Sequence, residues 1–253
     1  MLAPNSPGYG DPEQPKYVVH FWARAVTEGT YDDKQPNISM NQMLIGLDIA
    51  IGEGNPGAVA LRHRAAQGSA VQDCTIDATH GLCGLEGGIG SGGSSANVTV
   101  IGGRYGVDLR ETQPTPLLVG FTLLGQTGTA ILCESRQCAV LVGLRIETDT
   151  RGPVIVATDK GSSHHGQMSL VDCQIEFRKP AHANTFIRTE SSITLHDVYL
   201  RGAGTMLEAK TQLGKLTPAA WTHVAEAASA IDPPPSPTWS GMPGLVYPAT
   251  IIG

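Results

Sequence analysis

A six-residue pattern recurs seven times along this chain and leaves few folds open to it. The order is apolar, any, small or Asp, apolar, any, apolar. The copies begin at Leu44 (Leu-Ile-Gly-Leu-Asp-Ile), Val71, Val98 (a degenerate copy, Val98 to Gly103), Leu118, Leu141, Leu170 and Leu195. Successive starts are 27, 27, 20, 23, 29 and 25 residues apart. A repeat of 20–50 residues signals a solenoid or propeller, in which each unit buries its apolar face only against its neighbours. Between the copies runs a second apolar stretch, usually opened by Gly: Gly57–Leu61, Gly106–Leu109, Gly128–Leu132, Gly152–Val156 and Gly204–Leu207. Two or three short strands per period of about 25 residues describe one coil of a parallel β-helix.

Composition agrees. Gly contributes 31 residues and Pro 17, whereas aromatic residues make up 5% and charged residues 16%. Tight turns between short strands require residues that tolerate φ > 0, which Gly supplies. The apolar spacing mixes steps of two and three with β-branched residues, so a helical reading fails. The expected fold is therefore all-β, a right-handed parallel β-helix of about seven rungs over residues 39–210. Residues 1–38 form an irregular capping segment with one strand, Tyr17–Trp22. Residues 211–253 form a C-terminal segment in which 211–230 is either a helix or a last irregular strand. A Pro-rich stretch at 233–238 then reads as a linker toward a missing region, as in a fragment of a longer protein.

Several partner classes are disfavoured. The net charge is −6 with no basic run, which argues against nucleic acid. No stretch approaches the roughly 20 apolar residues of a membrane helix. The N-terminus lacks the basic start and apolar core of a signal peptide. Five cysteines with no C-x-x-C do not spell a zinc site or a complete disulfide framework. Cys133 and Cys138 are close enough to pair across a turn or to remain free thiols. Cys74 and Cys173 occupy apolar positions of the repeat and are expected in the core.

The repeats and the Gly-rich middle, Gly81 to Gly88 and Asn97 to Gly106 with its Gly-Gly-Arg-Tyr-Gly step, resemble the pectate-lyase-like β-helix superfamily. The nearest flavour is the branch that includes two-barrel exo-β-1,3-glucanases. The resemblance implies a polysaccharide partner, a secreted or cell-envelope setting, and either a glycoside hydrolase or a lyase. A hydrolase would need no cofactor, whereas a lyase would use calcium. The polygalacturonase signature is missing: Gly161-Ser-Ser-His-His-Gly166 shares only His-Gly with it, and Asp32-Asp33 precedes the repeats.

Stacking suggests candidates of its own, because equivalent positions on adjacent rungs lie about 4.8 Å apart. Glu111, Glu134, Asp159 and Glu190 end successive second strands and form an expected acidic column. Glu111, Glu134 and Asp159 are the candidate catalytic groups, at separations compatible with paired carboxylates. Arg110, Arg136, Arg151, Lys160 and Arg188 accompany them. Arg110, Arg136, Lys160 and Arg188 are candidate substrate contacts, and so are Arg62 and Arg64, which share one strand face and suit a uronate carboxylate. The same charges also fit a solvated face with opposite charges paired across rungs. His164-His165 reads as a loop, and Gly88–Gly93 matches G-x-G-x-x-G without the following helix that a dinucleotide needs. Trp22, Trp221 and Trp239 lie outside the repeats and read as capping residues. The alternative to an enzyme is a non-catalytic polysaccharide-binding or structural module.

Overall fold

The computed structural model describes residues 1–21, 40–88, 93–110, 116–134, 138–158, 167–209, 212–229 and 250–252. Among them there are strands and turns and no helix. The strands wind as a parallel β-solenoid. One register column links Leu44, Val71, Ser95, Leu118, Leu141, Leu170 and Leu195, giving seven levels separated by six turns. A second column links Ile49, Ile76, Val100, Leu123, Ile146, Ile175 and Leu200. A third, from the Gly-opened runs, links Leu61, Leu85, Val107, Ile131, Ile155, Ile187 and Leu207. All three columns are buried, apart from Ser95 entirely apolar, and meet in one core with Phe121, Phe177 and Phe186.

The first two columns are separated by a bend at the third position of the repeat. There the backbone is left-handed at every level: Gly46, Asp73, Asn97, Gly120, Gly143, Asp172 and Asp197 have φ between 51° and 67°. The requirement for a small residue or Asp at that position is thereby explained, since only Gly, Asn and Asp visit this region readily. The bend also corrects the third copy. It begins at Ser95 rather than Val98, because Asn97 is the residue that takes the bend, and the starts at levels two to four become 71, 95 and 118.

Both ends are continuous with the solenoid. Lys16–Phe21 pairs in parallel with Ala58–His63, adding one level to that side, and Leu2 bridges to Ile51. At the other end the chain reverses. Thr222–Ser229 pairs antiparallel with the last level, with Leu195 opposite Ala227 and Tyr199 opposite His223. The Ala-rich segment is thus a strand. Its residues lie against an existing strand edge, and that tertiary pairing overrides a moderate helix propensity. None of the five cysteines is in a disulfide; Cys74 and Cys173 are in the core as expected, and Cys133 and Cys138 are not bonded to each other.

Candidate functional site

The outer positions of the Gly-opened strands carry the charges. Arg62 is paired in register with Glu86, and Glu86 with Asp108. Beyond Asp108 the column turns apolar at Leu132 and Val156, then becomes Arg188 and Glu208. Strand alternation sends Arg62 and Arg64 to one face and His63 to the other. Both arginines reach the same acceptor, Glu86 Oε1, at 3.2 and 3.3 Å. Their expected carboxylate is therefore one of the chain's own. The Arg62 guanidinium also lies over the Tyr17 ring, 4.7 Å from its centre, and the Tyr17 hydroxyl donates to Glu86 at 3.4 Å. Arg64 Nε is buried without a hydrogen-bond partner among the described residues.

This cluster is largely withdrawn from water, with side-chain exposures of 8% for Arg62 and 14% for Glu86. Burial pushes the Glu86 carboxyl above its ordinary pKa, with Arg62 and Arg64 opposing and Asp108 adding to the rise. One level on, Arg110 clamps Asp108 with both ends of its guanidinium, Nε to Oδ1 at 2.9 Å and Nη2 to Oδ2 at 2.6 Å. That clamp raises the Arg110 pKa. Cys83 lies buried beside these groups, and burial lifts its thiol well above the ordinary value.

Glu134 stands in register with Arg110, not with an acid. Because Cys133 pairs with Ala157, the residue level with Glu134 on the next turn is Thr158. Ala157 pairs with Thr189, which brings Glu190 into the same row. The described part of that row therefore reads Arg110, Glu134, Thr158, Glu190. Glu111, Asp159, Arg136 and Lys160 lie outside the described residues, as do His164, His165, Trp22 and Trp239 and most of the Gly88–Gly93 loop. Arg188 forms an exposed pair with Glu208 at 3.0 Å, and Arg151 is exposed.

Acid–arginine pairing extends to the neighbouring face. Glu176 is in register with Arg201 and forms an ion pair with it. Arg145 pairs with Glu147, and Arg178 reaches Asp149 at 2.9 Å. Among the described residues, no group of three or more His, Cys, Asp or Glu has the geometry to hold a metal ion.

At the C-terminal end a second cluster combines aromatic and polar groups. Tyr199 and His223 face each other across the antiparallel pair with their rings stacked, 4.5 Å between centres and 8° between planes. His223 Nε2 lies 3.0 Å from Asp197 Oδ1, and His196 Nε2 lies 3.4 Å from Oδ2. Two residues along the strand, the Arg201 guanidinium sits over Trp221, 5.2 Å from the ring centre. Tyr199 and Trp221 remain 42% and 39% exposed.

Glu86 stands in the Gly-rich stretch Gly81 to Gly88, where Cys83–Glu86 is a strand whose Gly84 is buried against the core residue Val100. Its signal is Leu85, level with Leu61 and with Val107 on the neighbouring turns. Tyr199, His223 and Trp221 leave no such signal, because they meet only through the chain reversal. No protein-family profile matches the chain, and no curated protein is detectably similar to it.

Proposed function

We propose that this chain is a non-catalytic β-solenoid module, of the pectate-lyase-like kind it resembles, that binds an extended polysaccharide on its outer surface. The observation that carries the reading is the pairing of six outward carboxylates, among the described residues, with arginines. Glu86, Asp108, Glu147, Asp149, Glu176 and Glu208 each have an arginine partner. Acid–base cleavage requires one carboxyl free to give a proton and another free to act as base or nucleophile. A carboxylate clamped by a guanidinium serves neither role well, because the contact occupies the lone pairs that proton transfer or nucleophilic attack would need.

One observation favours a hydrolase instead. Glu86 and Asp108 are in-register neighbours, and burial lifts the Glu86 pKa, as a general acid needs. The two readings separate in one assay. The chain is incubated with a panel of neutral and acidic polysaccharides, with and without calcium, while reducing ends and unsaturated products are followed. A binding module releases neither. Reducing ends that disappear in a Glu86→Gln variant establish the hydrolase, and unsaturated products that require calcium establish a lyase.

A further inference from the structure

Resting on the binding reading above, we infer that the C-terminal aromatic cluster is a subsite for a neutral hexopyranose chain, with sugar rings packed on Tyr199 and Trp221.

Three observations converge on it. First, the two rings stand on the same outer face of the antiparallel pair. Tyr199 is opposite His223, and Trp221 lies two residues before His223, immediately ahead of the strand Thr222–Ser229 and against Arg201. Tyr199 and Trp221 are thus diagonal neighbours across the pair, about 7–8 Å apart at their Cβ atoms. Second, each ring has one partner already, His223 against Tyr199 and Arg201 against Trp221, and both rings nonetheless remain about two-fifths exposed. Partnered rings are held in place before a ligand arrives, so little side-chain freedom is lost on binding. Pyranose rings present apolar C–H faces that pack on such surfaces, while their hydroxyls seek polar neighbours. Third, those neighbours are present. Gln174 is in register with Tyr199 one level back and is exposed. Asp197, His196 and Glu226 border the same face, with His196 opposite Glu226.

Charge decides between neutral and acidic sugars. Among the described residues the guanidinium at the cluster is that of Arg201, which is committed to Glu176 and to the Trp221 face. The imidazole of His223 is committed to Asp197. A uronate or sulfate would therefore meet no uncommitted cation among the described residues there, and would approach a chain of net charge −6. A neutral chain carries no such penalty.

The test is titration of the full chain with β-1,4- and β-1,3-linked glucohexaoses and with hexagalacturonate, followed by calorimetry and tryptophan fluorescence. The expected result is binding of a neutral hexaose with a shift in Trp221 emission and no dependence on salt between 0.05 and 0.5 M. Trp221→Ala and Tyr199→Ala are each expected to weaken it about tenfold or more, and Tyr199→Phe much less. Both positions are exposed, so unchanged thermal unfolding checks that the variants remain folded. Neutral binding that survives both alanine variants overturns this subsite and leaves the module reading standing. Preference for hexagalacturonate overturns the neutral assignment. Absence of binding to every probe, with longer polysaccharides included, overturns the subsite and the module reading together.

Discussion

Asn97 donates its side-chain amide to Asp73 Oδ1 at 2.6 Å, joining two residues that hold the same left-handed conformation on adjacent levels. The column they belong to contains four Asx residues and three glycines, one per level. Each level turns at the same place because each can adopt φ > 0 there, and the short polar side chains add contacts along the column.

The cost of the column is conformational rather than steric. A Cβ at Gly143 would come no nearer than 3.7 Å to its neighbours, and one at Gly120 no nearer than 3.9 Å. Gly143→Val is therefore expected to lower stability by about 1–2 kcal/mol. Gly143→Asn should cost distinctly less, since the column already uses Asn and Asp at four levels. Urea denaturation of the two variants measures the difference. Equal losses would mean that φ is not what selects the residue.

The ion pairs differ in worth with depth. Removing the charge of Glu86 in Glu86→Gln leaves Arg62 and Arg64 together in a largely dry site, with an expected loss of about 3 kcal/mol. Glu208→Gln breaks an exposed pair, with Arg188 54% exposed, and should cost less than about 1 kcal/mol. Chemical denaturation at pH 7 compares them, and similar losses would contradict the described burial of the Glu86 cluster.

His63 points into the core, its ring 4.4 Å from that of Phe21, and neither nitrogen has a hydrogen-bond partner among the described residues. Burial lowers its pKa from 6.5 to about 4, partly offset by the main chain of Gln42 and of His63 itself. A base whose folded pKa is depressed takes up its proton first in the unfolded chain. Its favourable contribution is present above pH 6.5 and is lost as pH falls toward 4. The full loss is about 3 kcal/mol at 1.36 kcal/mol per pKa unit. The stability difference between the native chain and His63→Leu should therefore widen in favour of the variant between pH 6.5 and 4. Using the difference cancels the opposing pH dependence from Glu86, whose pKa is raised. A difference independent of pH would mean that His63 is hydrated or paired in solution.

Thiol chemistry offers a check on the core. Cys74, Cys83, Cys133 and Cys173 are buried and Cys138 is partly exposed. Burial also holds the Cys173 thiol at a pKa of about 11. An aromatic disulfide reagent should titrate one thiol in the native chain and five in denaturant. Rapid modification of two or more in the native chain would contradict the packing.

The solenoid was legible because its repeat is enforced at every level by a backbone bend and three inward columns. What the sequence obscured was register. The apolar pattern places the third repeat three residues late because Ser95 occupies an apolar position, buried beside Val71 and Leu118. Register decides which charges meet, and a one-residue slip exchanges the two faces of a strand. Arg110 rather than an acid thus stands beside Glu134, while the pairing of Arg62 and Arg64 on one face followed from alternation alone. The Tyr199–His223 stack depends on an antiparallel reversal 24 residues later in the chain, for which no local pattern exists.

The central claim is that the outer surface binds polysaccharide without cutting it. Electrophoresis of the native full chain through gels cast with each polysaccharide, with the product mixture from the same incubation separated alongside, tests it most directly. Retardation by at least one polysaccharide with no shortened or unsaturated product is the result predicted. Products that accumulate with time, or mobility unchanged by every polysaccharide, would contradict it.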